Sequence, residues 1–199
     1  MVAVSPAGAT LGLRRRQLLA LAGAWAASAP ARAVTAPPTG WVLPRLPAPA
    51  IGVTGADGQA QALPALLSAK ITAVQLMFTG CSSTCPIQGA LFAALAGRLR
   101  DADVQLLSIS IDALGDNPQA LAHWQARFGL HPAWRAALPN VMQVDRLADF
   151  LKGVSGKPGT HTAQVFVFDR KAQLCYRTGD APPVAELEAL LAHVARLSL

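Results

Sequence analysis

The hydrophobic pattern in the middle of the chain predicts a strand, a helix and a second strand in direct succession. Residues 71–78 form an apolar run of strand length, and residues 104–111 form another. Between them, leucines recur at the spacing of one helical face over residues 86–100. Because both strands are almost wholly apolar, we expect a parallel β-α-β unit that is covered on both faces.

The flanking segments extend this unit to a complete domain. Residues 51–63 predict a hairpin that turns at Gly55-Ala56-Asp57-Gly58, and Asn117 with Pro118 predicts a helix start. The other predicted elements are short helices over 63–67 and 144–151, a helix from 118 to about 128, a loop with at most one short strand over 130–139, a breaker-rich loop over 155–160, strands over 163–168 and 173–177, and an amphipathic helix over 183–197. This order predicts a single α/β domain over residues 51–199, with a thioredoxin-like fold and an N-terminal β-hairpin extension.

The first 33 residues have the pattern of an export signal. Three arginines, Arg14 to Arg16, precede a short apolar stretch over residues 17–29 and the small-residue sequence Ala31-Arg32-Ala33. The arginines with the following Gln-Leu-Leu resemble a twin-arginine signal. An ordinary secretory signal and an uncleaved anchor are the alternatives. Each places the mature chain in an oxidising compartment, for which we predict the bacterial periplasm.

Net charge and proline content bear on the partners of the chain and on one linker. The formal net charge is +6, but the leader carries four arginines and no acid, so the remainder has 13 basic and 11 acidic residues. No cluster of basic and aromatic residues follows, which argues against a nucleic-acid partner. Residues 34–50 contain five prolines, which predicts an extended linker with little secondary structure.

The most chemically specific stretch runs from Cys81 to Pro86 at the predicted strand-to-helix junction. Pro86 suits the first turn of a helix, so Cys81 is expected in the loop and Cys85 at the helix start. The partial positive charge of a helix N-terminus lowers thiol pKa values and favours thiolates. Two such sulfurs can converge on a metal ion or cycle through a disulfide, and a purely structural disulfide is the plainer alternative.

These residues resemble a known family. The sequence Cys-Ser-Ser-Thr-Cys-Pro after Phe78-Thr79 resembles the CxxxCP motif of Sco/SenC proteins, which are thioredoxin-fold copper chaperones for the binuclear copper site of cytochrome c oxidase. Residues 108–112 resemble that family's strand with an acidic end, Asn117-Pro118 its next helix start, and residues 159–162 its histidine segment. The resemblance extends from about residue 46 to the C-terminus.

The resemblance implies a function and a ligand set. Cys81, Cys85 and His161 would bind one copper ion, as Cu(I) or Cu(II), because two thiolates and an imidazole suit both. The chain would pass the ion to an exported cuproprotein, with the binuclear site of an oxidase as the expected acceptor. It would then be a metallochaperone rather than an enzyme, and any membrane contact would come through an uncleaved leader.

The chain also departs from the family pattern. Gly80 stands where histidine is usual, Ser82-Ser83-Thr84 where Pro-Asp-Ile or similar is usual, and Thr160 where aspartate is common. These neighbours would tune or dock the copper site. Their absence leaves the three ligands intact but changes their surroundings.

A thiol–disulfide oxidoreductase is the alternative function. Cys81 and Cys85 would then cycle with an exported substrate and a periplasmic thiol reductant, and His161 would be incidental. A peroxidase would need an arginine beside the attacking thiolate. The remaining candidates are Cys175 as a buried thiol or an extra redox partner, Asp112 as a strand-end cap or a support for the site, Met77 and Met142 as core residues or soft sulfur ligands, and His123, His131 and His193 as surface or loop histidines.

Overall fold

The structure, a computed structural model, describes residues 38–100, 102–151 and 162–197. Over these residues, eight strands form one sheet: β1 (Gly40–Pro47), β2 (Gly52–Gly55), β3 (Ala60–Ala62), β4 (Ile71–Met77), β5 (Val104–Ser110), β6 (Trp134–Pro139), β7 (Gln164–Phe168) and β8 (Gln173–Asp180). Five α-helices accompany them in the same part of the chain: α1 (Leu63–Leu67), α2 (Thr84–Ala96), α3 (Pro118–Ala126), α4 (Val144–Leu151) and α5 (Val184–Leu197). A 3-10 helix, Val141–Gln143, directly precedes α4.

The sheet has a parallel centre and antiparallel flanks, in the order β1-β8-β7-β4-β5-β6-β2-β3. Strands β4, β5 and β6 are parallel, and Met77 lies opposite Ser110 where β4 and β5 end. On one side β7, β8 and β1 pair antiparallel, and on the other side β2 pairs antiparallel with both β6 and β3. This topology confirms the predicted thioredoxin-like α/β domain and its hairpin extension.

Apolar side chains cover both faces of the sheet. Helices α2, α3 and α5 pack on one face through residues such as Phe92, Trp124 and Leu191. Helices α1 and α4 pack on the other through residues such as Leu67 and Leu151. Every residue of β4 and β5 is buried, as expected for parallel strands between two helical layers. The cysteine loop therefore follows directly from the most buried strand of the sheet.

Strand β1 corrects the prediction of little secondary structure over residues 34–50. Residues 40–47 pair with β8 as an edge strand, where a proline removes no hydrogen bond that a neighbouring strand needs. Val42 is buried in the core, and the Arg45 guanidinium donates to the buried Asp169 carboxylate at 2.7 Å. These tertiary contacts hold a segment whose composition favours a linker.

Strand β6 is longer and more central than predicted for residues 130–139. It pairs with β5 on one side and with β2 on the other. The Trp134 indole N–H donates to the Ser108 hydroxyl at 2.9 Å, and Gln125 donates to the Trp134 carbonyl at 2.6 Å. The alanine-rich sequence has weak strand propensity, so its conformation depends on these neighbours.

The other described elements are confirmed, with shifts at their ends. Helix α2 begins at Thr84, two residues before the predicted start, and ends at Ala96 rather than residue 100. The Asn117 side chain accepts from the Ala120 amide at 2.9 Å, which confirms the predicted cap of α3. The predicted loop over 155–160, and His161 after it, lie outside the described residues.

Candidate functional site

The cysteine motif lies at the carboxyl edge of the parallel strands. β4 ends at Met77, and α2 begins at Thr84, so Cys81 lies in the intervening loop and Cys85 in the first helical turn. The chain segments that follow β5 and β6 leave the sheet at the same edge because the three strands are parallel. Open α/β sheets place their functional groups at this edge.

The two sulfurs face each other across the loop. The Cys85 amide donates to Cys81 Sγ at 3.4 Å, and the Ser83 hydroxyl lies 3.7 Å from the same sulfur. The Cys81 amide donates to the Phe78 carbonyl at 3.2 Å, which closes the turn that carries Cys81. Cys81 is partly exposed and Cys85 is fully buried, and neither forms a disulfide. One sulfur is therefore accessible, and the second lies behind it.

The environment separates the two thiol pKa values widely. Partial burial alone would raise the pKa of Cys81, but hydrogen bonds from the side chain and amide of Cys85 and from Ser83 outweigh it and lower that pKa to about 7. Burial raises the pKa of Cys85 to about 12, and its hydrogen bond to Cys81 adds to the increase. At neutral pH about half of the Cys81 side chains are therefore thiolates, whereas Cys85 remains a thiol.

This asymmetry corrects the expectation that the helix N-terminus favours both thiolates. Cys81 in the loop gains the effect, because the first-turn amide of Cys85 points at its sulfur. Cys85 belongs to the same turn, but its side chain is removed from water, which opposes ionisation more strongly than the helix favours it. Among the described residues, the groups that lower the pKa of Cys81 are the hydrogen-bond donors of Cys85 and Ser83.

Asp116 is a site-supporting residue that sequence reasoning misses. Its buried carboxylate accepts from the Thr79 amide at 3.0 Å, from the Thr79 hydroxyl, and from the Ser110 hydroxyl at 2.6 Å. It thus joins the end of β5 to the start of the cysteine loop. Its position on the loop that links a buried strand to Pro118 could have indicated it.

Asp112 performs the plainer of its two predicted roles. Its carboxylate accepts from the Gly115 amide at 2.9 Å and so caps the turn after β5. Its amide donates to the Ser110 hydroxyl at 3.1 Å.

The third predicted ligand, His161, lies outside the described residues. Over residues 38–100, 102–151 and 162–197, no group of three or more histidine, cysteine, aspartate or glutamate side chains is arranged to hold a metal ion. His123 and His193 are exposed on helices, and His193 packs edge-on against Trp41. The His131 Nδ1 accepts from the Ala133 amide at 3.2 Å.

The remaining sulfur candidates are Met77, Met142 and Cys175. Met77 is buried in β4, whereas Met142 is 86% exposed on the 3-10 helix, which corrects its prediction as a core residue. Cys175 is buried in β8 and donates to the Val167 carbonyl at 3.2 Å. Burial raises the pKa of Cys175 to about 11, as expected for a structural thiol.

The loop around the exposed sulfur carries no charged side chain at the positions that depart from the family pattern. At Gly80 a Cβ atom would have no atom of the described residues within 4 Å apart from its chain neighbours, so these residues leave space where histidine is usual. Ser82 is exposed, and Ser83 is exposed with its hydroxyl toward Cys81. In the described loop, the positions that flank Cys81 therefore carry small and neutral side chains.

The fold and this thiol site define a thioredoxin-like protein of a particular family. The chain belongs to the SCO1/SenC family, whose model matches residues 53–196. A sequence comparison with curated proteins gave no match.

Solved structures share the fold at low identity. A SCO1/SenC family lipoprotein from Bacillus anthracis str. Ames has a TM-score of 0.68 at 19% identity, covering 77% of this chain and 99% of that one. BsSco, described with a disulfide switch as a member of the Sco family of cytochrome c oxidase assembly proteins, has a TM-score of 0.67 at 18% identity, covering 77% and 95%. Arabidopsis thaliana ScoI, solved with copper bound, has a TM-score of 0.63 at 18% identity, covering 74% and 96%.

Among the described residues, none of the helices has both the length and the apolar character that crossing a membrane requires.

Proposed function

We propose that this protein is a copper-binding assembly factor that delivers copper to an exported cuproprotein. The observation that carries the proposal is the pair of facing sulfurs at the sheet edge, with Cys81 partly exposed and Cys85 buried behind it. Family membership and the copper-bound structure of Arabidopsis ScoI support the same function. Thiolates are the soft ligands that Cu(I) prefers.

Cys81, Cys85 and His161 are the proposed ligands. Cys81 offers a thiolate at neutral pH, whereas Cys85 must lose its proton when copper binds. The register of β7 supports His161 as the third ligand: Val165 lies opposite Gln75, so the chain enters β7 from the edge where β4 ends. An imidazole from this entry would complete a two-sulfur, one-nitrogen donor set.

The exposed sulfur is the proposed point of exchange. An acceptor's ligands can reach Cys81 from solvent, while Cys85 is covered by the core. Copper would pass by ligand exchange, with protons returning to the thiols as the ion leaves. We propose a cuproprotein as acceptor, with the binuclear copper site of cytochrome c oxidase as the first candidate. The description of BsSco as a member of a family of oxidase assembly proteins supports this candidate.

The proposed location is the bacterial periplasm. Residues 1–33 would serve as a twin-arginine-like export signal or, if uncleaved, as a membrane anchor, and strand β1 follows from Gly40. In that oxidising compartment the thiol pair needs a reductant before it can accept copper. A periplasmic thiol reductant is therefore a proposed second partner.

The test is an anaerobic titration of the reduced mature protein with Cu(I) against a competing chelator. We expect tight one-to-one binding that is lost in Cys81→Ser and weakened at least about tenfold in His161→Ala. The matched control is His131→Ala, since His131 lies before β6, away from the carboxyl edge. Equal affinity of the two histidine variants would remove His161 from the ligand set, and no tight binding by the wild type would refute the proposal.

A thiol–disulfide oxidoreductase is the second candidate, favoured by the unequal thiol pKa values. The Cys81 thiolate would attack a substrate disulfide and form a mixed disulfide as one substrate thiolate leaves. Cys85 would then lose its proton, attack Cys81 Sγ and release the second substrate thiolate. The resulting Cys81–Cys85 disulfide would be reset by a dithiol reductant. Turnover of a disulfide substrate that is unchanged in His161→Ala, without tight Cu(I) binding, would favour this candidate over the first.

A further inference from the structure

Asp116 is a buried carboxylate whose recorded contacts all lead to the cysteine loop or to the strand beside it. One oxygen accepts from the Thr79 hydroxyl and, at 3.4 Å, from the Thr79 amide. The other accepts from the Thr79 amide at 3.0 Å and from the Ser110 hydroxyl at 2.6 Å. The residue is only 7% exposed. A single side chain therefore connects two loops at the carboxyl edge.

Hydrogen bonds rather than a cation stabilise this carboxylate. The ion pairs found in the described part of the chain are Arg45–Asp169, Arg98–Glu188 and Arg170–Asp103, so none includes Asp116. A buried carboxylate without a cation is costly unless several donors satisfy it. Helix α3 begins two residues later, and its N-terminal amides favour an anion nearby. A buried acid at this position is thus satisfied only while Thr79 and Ser110 stay in place.

The path from Thr79 to the exposed sulfur is short. Backbone hydrogen bonding between β4 and β5 extends as far as the Ile111 amide, which donates to the Met77 carbonyl at 2.9 Å. Beyond that point, Asp116 holds Thr79 through both its amide and its hydroxyl. The next turn closes from the Cys81 amide to the Phe78 carbonyl. Fixing Thr79 therefore fixes the middle of the turn that carries Cys81.

Among the described residues, the other restraints on this turn include the packing of Phe78 and Cys81 against the core and the contacts of the Cys81 sulfur. Gly80, between Thr79 and Cys81, has no side chain, and no other part of the described chain lies within 4 Å of its Cβ position. Cys81 is partly exposed, and its sulfur contacts the Ser83 hydroxyl at 3.7 Å, the Cys85 side chain and, at 3.4 Å, the Cys85 amide. Because the contacts with Cys85 need the turn to be in place, displacement of Thr79 would separate the two sulfurs.

We infer that Asp116 is a positioning residue that holds Cys81 facing Cys85 through Thr79. It touches neither sulfur in the contacts of the described chain; it acts on the geometry of the pair. The copper readout of this inference rests on the proposed function. A second readout, the disulfide equilibrium of the metal-free protein, does not depend on copper.

Two variants remove hydrogen bonds between Asp116 and Thr79, one on each side of the contact. Asp116→Ala removes the acceptor, and Thr79→Val removes the hydroxyl donor while it keeps the side-chain shape and the amide. Thr79→Ser keeps both donors and serves as the conservative rescue. Asp112→Ala is the matched control, because it removes a carboxylate from the same loop. The Asp112 carboxylate caps the Gly115 amide and has no hydrogen bond to Thr79 in the described chain.

Each variant is measured by Cu(I) competition, by equilibration of the Cys81–Cys85 pair with glutathione and its disulfide, and by thermal unfolding. We expect Asp116→Ala to lower both the Cu(I) affinity and the constant for disulfide formation by about tenfold or more, since misplaced reacting groups lose such factors. Thr79→Val should lower both by a smaller factor, and Thr79→Ser should match the wild type. Asp112→Ala should change the unfolding midpoint without changing either constant.

The outcomes separate the inference from the proposed function. If the folded Thr79→Val and Asp116→Ala proteins differ from the wild type only in their unfolding midpoint, Asp116 is merely structural and the inference is wrong. If Asp116→Ala does not fold, the comparison of Thr79→Val with Thr79→Ser decides in the same way. If the wild type does not bind Cu(I), the proposed function fails, while the glutathione equilibrium still tests the positioning role.

Discussion

The replacement Cys85→Ala tests the origin of the Cys81 thiolate. In the wild type, hydrogen bonds from the Cys85 thiol, the Cys85 amide and Ser83 lower the pKa of Cys81 from an ordinary value of 9.0 to about 7. Alanine keeps the amide at position 85 but removes the thiol, which is the largest of the lowering contributions. We therefore expect the pKa of Cys81 to rise by about one unit, roughly half of the total shift.

This shift has a defined effect on thiolate content. At pH 7 about half of Cys81 is ionised in the wild type, and about a tenth would be ionised in Cys85→Ala. The rate of alkylation by iodoacetamide, followed across pH 5–10, gives the midpoint directly. The plateau rate at high pH should rise by about two- to threefold, because a more basic thiolate is a better nucleophile. The midpoint rather than the rate at one pH is therefore the quantity to compare.

Two observations would refute this reasoning. A wild-type midpoint near 9 would mean that the pair does not face each other as described, and an unchanged midpoint in Cys85→Ala would mean that the thiol is not the donor. Ser83→Ala is the control, since its hydroxyl lies 3.7 Å from the sulfur and makes the smallest contribution. Peptide mapping of the alkylated protein should find the label on Cys81 and not on the buried Cys175.

Three further predictions concern copper and stability. Cu(I) affinity, measured by competition at several pH values, should rise about tenfold per pH unit from pH 7 to 9, because only Cys85 must then lose a proton when copper binds. Below pH 7 the affinity should rise more steeply with pH, since Cys81 must also lose a proton. A flat profile would contradict thiolate ligation. Arg45→Met should lower the free energy of unfolding in urea by about 2–4 kcal/mol, because it leaves the buried Asp169 without its cation. Arg98→Met removes one partner of an exposed ion pair and should lower the free energy of unfolding by only about 0.5 kcal/mol. Equal losses would contradict the anchoring of β1 by Arg45. Gly89→Ala should destabilise the protein in the same assay despite better helix propensity, because the new Cβ would overlap the Phe128 ring; increased stability would count against this packing.

Local pattern was sufficient for most of the α/β framework. The apolar runs of β4 and β5 are buried at every position, so hydrophobicity alone locates them. Asn117 caps α3 through its own side chain, which makes that helix start readable from two residues. In contrast, β1 contains Pro44 and Pro47, and it forms because an edge position tolerates proline and because Arg45 reaches a buried acid.

For the thiol site, the sequence predicts the positions of the sulfurs but not their pKa values. The order Cys81, Cys85, Pro86 predicts a loop sulfur followed by a helix-start sulfur, and both lie there. Sequence could not separate their pKa values, because the separation comes from the burial of one side chain and the hydrogen bonds of the other. His161 stays a prediction, supported by the family resemblance and by the register with which β7 meets β4.

Local sequence signals specify one part of this protein: the apolar runs, the helix caps, the turn residues and the spacing of the cysteines. Folding determines which of the two sulfurs has the lower pKa, and which strands form from proline-rich or alanine-rich segments. It also determines that Asp116, rather than Asp112, supports the cysteine loop, since Thr79 lies 37 positions before it in the chain. The physical reason is common to all three. Burial and hydrogen bonds between distant residues exist only after folding, and no short window of sequence contains them.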